Sequence, residues 1–130
     1  EAEQLPGDIY DRIEALAARL SDFMPDNVKP SFLHGDLWGG NILALEHQIT
    51  AFIDPAIYYG DAEMDLAFST LFSTFDDMFF ARYQEHRPLE PGFFEVRRDL
   101  YNLYPLLVHV RLFGGSYVGS VNLTLHGFGV

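Results

Sequence analysis

"FLHGDLWGGNILALEHQITAFIDPAIYYGD", residues 32–61, is the stretch on which the reading of this chain turns. Its first ten positions hold a His, an Asp, the chain's only Trp, three glycines and an Asn. An apolar run follows and closes on Ile53-Asp54-Pro55-Ala56. Loops this rich in glycine can take positive φ or bring backbone close to a ligand. "SFLHG" reads as a short strand, and "NILAL" (41–45) and "ITAFID" (49–54) flank "EHQ", which can close a hairpin. A hairpin returns the end of its second strand to the start of its first, so Asp54 should lie beside Asn41, with Asp36 close by. Two oxygen donors converging at that point suit Mg²⁺, which binds one or two carboxylates or amides together with phosphate oxygens and water. A nearby carboxylate free to accept a proton completes a minimal set for phosphoryl transfer.

Outward from this stretch the chain turns helical. Residues 8–24, "DIYDRIEALAARLSDFM", place Ile9, Ile13, Leu16, Leu20, Phe23 and Met24 on one helical face, with Asp8 as N-cap and Pro25 as stop. "PDNVKP" is a connector. Helical spacing returns over 62–75, 76–86 and 92–113, and more weakly over 114–125. Pro105 should kink or break the third of these, because it lacks an N–H and crowds the preceding turn. Phe93, Leu100, Leu103 and Leu107 are the expected core of that segment. Asp61 is a candidate N-cap for the helix from 62. Arg97 and Arg98 are expected on a solvated helix face. The fold class that results is α+β and mostly α, with a small β-hairpin carrying the polar cluster.

Composition narrows the options. A chain of 130 residues is the size of one domain, and apolar residues make up 48% of it, including 12 Phe. Nineteen acids against eight bases give a net charge of −11, which argues against a nucleic-acid partner. The absence of Cys excludes disulfides and thiolate chemistry, and it fits a reducing cytoplasm. No apolar run approaches the roughly 18 residues of a membrane span. The histidines form no i, i+3 or i, i+4 pair, so zinc is not expected.

The combination "HGDLWGGN" (34–41), "IDPAIYYGD" (53–61), "YPLLVHVRLFGG" (104–115) and "LFGGSY" (112–117) resembles the fructosamine kinase (ketosamine 3-kinase) family, which shares a kinase-like fold with aminoglycoside and choline kinases. Protein kinases carry a related pattern, H-R-D followed by Asn and then D-F-G. The resemblance runs from about residue 31 to about residue 118. It implies an ATP-dependent kinase for ketosamines with Asp36 as catalytic base and Asn41 and Asp54 as Mg²⁺ ligands. It also implies that His34 is structural, bonding backbone near the metal loop, and that Asp65 braces the catalytic loop. Position 39 is Gly where the family commonly has Ser. The resemblance covers only the kinase-like C-terminal lobe; nothing in the first thirty residues resembles a nucleotide-covering lobe. The isolated chain is therefore expected to be inactive, with an apolar surface left to self-association. Trp38 is either a lid on the local core or a flat face for substrate, and Tyr58 and Tyr59 either pack or touch substrate. A kinase for another small hydroxyl compound, or a silent kinase-like binding module, are the alternatives.

Overall fold

The computed structural model describes residues 5–130. Helix α1 (Gly7–Ala17) leads through a connector to strand β1 (Ser31–Leu33). Strands β2 (Ile42–Leu45), β3 (Gln48–Phe52) and β4 (Tyr58–Gly60) follow. The remainder is helical: α2 (Ala62–Leu71), α3 (Asp77–His86), α4 (Arg98–Phe113) and α5 (Val118–Gly127). The class is α+β and mostly α.

The hairpin lies where the alternation of apolar residues places it. β2 and β3 pair antiparallel from Ile42↔Phe52 to Leu45↔Gln48, with a bulge between Leu43 and Ala44. Glu46 and His47 both take positive φ, 50° and 67°, as a tight two-residue hairpin turn with right-handed strand twist requires. Gln48 therefore belongs to β3 and not to the turn. A second ladder was not expected. Tyr58–Gly60 forms β4 and pairs with β1 in the register Ser31↔Gly60, Phe32↔Tyr59 and Leu33↔Tyr58. Three residues directly behind Pro55 show no usable alternation; what makes them a strand is β1, 27 residues earlier in the Phe32↔Tyr59 pair. The two ladders expose apolar side chains, among them Phe32 (63%), Leu45 (66%) and Tyr59 (75%).

Two apolar clusters hold the helices. Ile9 and Leu16 of α1 meet Leu100, Leu103, Leu106 and Val110 of α4 and Val121 and Leu125 of α5. Leu66 and Ala67 of α2 meet Phe80, Phe93 and Tyr101 in the other. The expected core of the α4 segment is buried at Phe93, Leu100 and Leu103, with Leu107 half-buried against the first cluster.

Four helical expectations change. α1 stops at Ala17, and a separate 3₁₀ turn (Leu20–Asp22) redirects the chain so that the Phe23 ring packs edge-on against Phe128, 5.2 Å away. Asp8 sits inside the first turn, because Pro6 occupies the N-cap position and its carbonyl accepts from Ile9 and Tyr10. α4 runs through Pro105 without ending, since packing against both α2 and α5 outweighs the one missing hydrogen bond. Arg97 is not solvated at all. It is 5% exposed, and its guanidinium forks onto the buried Glu63 carboxylate at 2.6 and 2.7 Å. Two further donors reach the carbonyls of Glu90 and Pro91, both at 2.8 Å. This pairing holds the Arg97 proton even more firmly than usual, the Glu63 hydrogen bonds being the main cause.

Candidate functional site

The loop from His34 to Asn41 is held in place by hydrogen bonds to its backbone. From α2, the Asp65 carboxylate accepts from His34 N at 2.7 Å and Gly35 N at 2.9 Å. The His34 ring spans the two loops. Its Nε2–H donates to the Ile53 carbonyl at 3.0 Å, and its Nδ1 accepts from Asp36 N at 3.3 Å. Both ring nitrogens are thereby used, leaving none to act as a base. Two further bonds tie the loops: Ala56 N to the His34 carbonyl at 2.8 Å, and Ile53 N to the Asn41 carbonyl at 2.9 Å.

Glycine is demanded at one of these positions and leaves room for a ring at another. Gly35 has φ 81°, and a Cβ there would lie 2.0 Å from the Ala56 carbonyl oxygen. A Cβ on Gly40 would lie 2.3 Å from the Trp38 indole. The Trp stands between an acid and two glycines because its ring folds back over Gly40. Gly39 has open space around it, so the Ser common in the family would fit; its N–H donates to Thr74 Oγ1 at 3.1 Å.

Asp36, Asn41 and the 53–54 segment come together. Asn41 is 7% exposed, and its Nδ2 donates both to the Asp36 carbonyl (2.9 Å) and to Asp36 Oδ2 (2.8 Å). That fixes the Asp36 side chain by one oxygen and leaves Asn41 Oδ1 available as a ligand. Asp54, held at φ 49°, is exposed one residue beyond the Ile53–Asn41 bond. Asn41 Oδ1 and the Asp54 carboxylate are hard oxygen donors, the chemistry that Mg²⁺ selects. Among the described residues no group of three or more His, Cys, Asp or Glu could hold a metal by itself; Mg²⁺ on one or two protein oxygens completes its shell with water or phosphate oxygens. Trp38 is 40% exposed and lies 5.8 Å from the Phe72 ring.

A cavity of about 310 Å³ opens beside Asp36, walled by Tyr58, Tyr101 and Tyr104 among others. Tyr101 O–H donates to Asp61 Oδ2 at 2.6 Å, while Asp61 Oδ1 caps α2 by accepting from Glu63 N at 3.0 Å. Burial, and then the Asp61 carboxylate, push the Tyr101 phenol far above its ordinary range. Burial, then the charge of Asp65, also raises Tyr58. The Glu63–Arg97 and Asp61–Tyr101 links have no signature in the sequence, since their partners are 34 and 40 residues apart and nothing local connects them.

A family model for fructosamine kinase matches residues 3–128. The chain belongs to the fructosamine kinase family. It is 43% identical over 123 residues to a Vibrio parahaemolyticus protein named "probable ketoamine kinase", covering 92% of this chain and 40% of that protein. The ketosamine-3-kinase of Mus musculus is 40% identical over 107 residues, covering 82% of this chain and 34% of the mouse protein. A Thermobifida fusca crystal structure, described as a "putative fructosamine-3-kinase", superposes with a TM-score of 0.83 at 35% identity, over 95% of this chain and 43% of that one. The fold is thus kinase-like. The chain spans about 40% of the length of the Vibrio relative that it matches. Among the described residues no helix is long and apolar enough to cross a membrane.

Proposed function

We propose that these 130 residues are the catalytic-loop lobe of an ATP-dependent kinase that phosphorylates a sugar hydroxyl of a ketosamine. The observation that carries this reading is the setting of Asp36. One of its carboxylate oxygens is tied to Asn41, its loop is pinned by Asp65, and its side chain borders the open cavity. Asp36 takes the proton as the acceptor oxygen bonds to the γ-phosphorus; the bond to the bridging oxygen breaks, and ADP leaves. Positioned bases of this kind contribute about 10²–10⁴ in rate. Asn41 and Asp54 would hold Mg²⁺, which would supply charge neutralisation on the phosphoryl group when bound. The ketosamine acceptor is supported by the names of the relatives and by their identity to this chain.

The lobe assignment draws support from the share of the relatives that the chain covers and from the exposed apolar faces of the two ladders, which suit a covering lobe or a second copy. The test is phosphorus NMR of the full protein carrying this chain, supplied with Mg-ATP and a lysine ketosamine, with the isolated chain alongside. The expected result is a sugar-phosphate resonance from the full protein and none from the isolated chain. Transfer to an aminoglycoside, choline or homoserine but not to the ketosamine would overturn the acceptor, and transfer to none of them would overturn the kinase reading.

A further inference from the structure

The surface around Asp36 continues in two directions. Beyond the tyrosine-walled cavity lies a second groove of about 500 Å³, between the catalytic loop and the C-terminal end of α4. Asp36, Phe68, Val108 and His109 border both. The groove is lined by a connected set of rings. Trp38 lies 5.8 Å from Phe72, Phe72 lies 5.6 Å from His109, and His109 lies 5.4 Å from Phe113 and 5.0 Å from Tyr117. Trp38 and Phe72 are each 40% exposed and Phe113 is 65% exposed. None of these three belongs to either apolar cluster, so holding the helices together does not account for them. No Lys or Arg lines the groove, and its one carboxylate is that of Asp36. His109 Nδ1–H donates to the Pro105 carbonyl at 2.7 Å, which holds the ring in place at the groove wall.

We infer that this groove seats the amine-bearing arm of the acceptor, a protonated alkylamine, while the sugar occupies the tyrosine-walled cavity. The inference rests on the proposed reading that the acceptor hydroxyl faces Asp36. Ring faces attract a cation through their quadrupole and cover alkyl C–H groups at the same time. A wall with one carboxylate and no Lys or Arg sets no fixed positive charge against such a ligand. The sugar, rich in hydroxyls, is better matched by the phenols of Tyr58 and Tyr104. Aromatic residues from the catalytic loop, α2, α4 and the 3₁₀ turn Gly115–Tyr117 thus set which amine adducts are accepted.

The experiment uses Trp38 as its reporter, since it is the only Trp and lies in the groove. The chain is titrated with the ketosamine of hexylamine, a cation, and with hexyl glucoside, which is neutral. The ketosamine should bind about fivefold more tightly, the scale of a cation–π contact at partly exposed rings. Phe113→Leu, at an exposed position, should lose most of that preference, and Phe113→Lys should lose all of it, with unchanged circular dichroism. Equal affinity for the two probes, Phe113 variants that bind like the parent, or a Trp38 signal indifferent to both ligands would each overturn the inference. Phosphoryl transfer is read separately. Charge-selective binding without transfer to any ketosamine refutes the proposed reaction and keeps the groove. Transfer with a KM insensitive to the amine arm and to Phe113 refutes the groove and keeps the reaction.

Discussion

From Ser31 to Asp61 the side chains around Asp36 are placed mostly by hydrogen bonds that have backbone as one partner, whereas α1, α4 and α5 are placed by Leu16, Leu103, Val110, Val121 and Leu125 closing on one another. Hydrogen bonds are directional, and a group left without its partner costs more than the bond contributed. Apolar burial is additive and roughly proportional to area. The first region can therefore be changed by single atoms with its fold retained, while the second responds to lost volume. α2 belongs to both. Asp65 reaches the 34–41 loop, Leu66 and Ala67 enter an apolar cluster, and Glu63 holds Arg97.

The largest expected effect separates chemistry from fold. Asp36→Asn keeps shape and the contact with Asn41, so stability should barely move, while phosphoryl transfer by the full protein falls by about 10²–10⁴. Near-normal kcat would refute the base. Arg97→Ala comes next. It strands the Glu63 carboxylate in the interior, and urea unfolding should show a loss of about 3–5 kcal/mol. A loss under 1 kcal/mol, by the same scale, would mean that the pair is solvated and that the contrast between the regions is overdrawn. Asp65→Asn is smaller. An amide offers one acceptor oxygen to two backbone donors, so one N–H is orphaned, at about 1–3 kcal/mol. Its kcat should fall by more than its stability implies, because the loop that carries Asp36 is loosened; a stability loss with full kcat would confine Asp65 to the fold. Tyr101→Phe is the smallest. Its phenol keeps its proton to higher pH in the folded state than in the unfolded one. Above about pH 10 the unfolded chain therefore binds fewer protons than the native one, and native stability falls as pH rises. Removing the hydroxyl should cost about 1 kcal/mol at neutral pH, and the gap to the parent should narrow in alkali. A gap that widens there would contradict the Asp61 contact.

Much of the site region could be read without coordinates because its spacing is local. Asn41 and Asp54 are joined by one hairpin, and alternation plus a turn is enough to bring residue 53 to the Asn41 carbonyl. His34 and Asp36 lie on the strand end and loop that lead into it. The helices, too, were legible where apolar residues recur at helical spacing, as in α2 and α4, and where Asp61 stands ready to cap. Their ends were less so: α1 stops early because Phe23 has a partner at Phe128, more than a hundred positions away.

What the order of residues determined by itself was most of the helices, the hairpin and the polar cluster at its mouth, since propensity, capping and turn chemistry act within a few residues. Tertiary structure alone decided that Tyr58–Gly60 would be a strand, that Arg97 would be buried, that α4 would continue through Pro105, and that rings from positions 38, 72, 109, 113 and 117 would line one groove. Each of these depends on a partner distant in the chain. Whether such a partner arrives is settled by how the whole set of apolar faces closes, a property that no single segment carries.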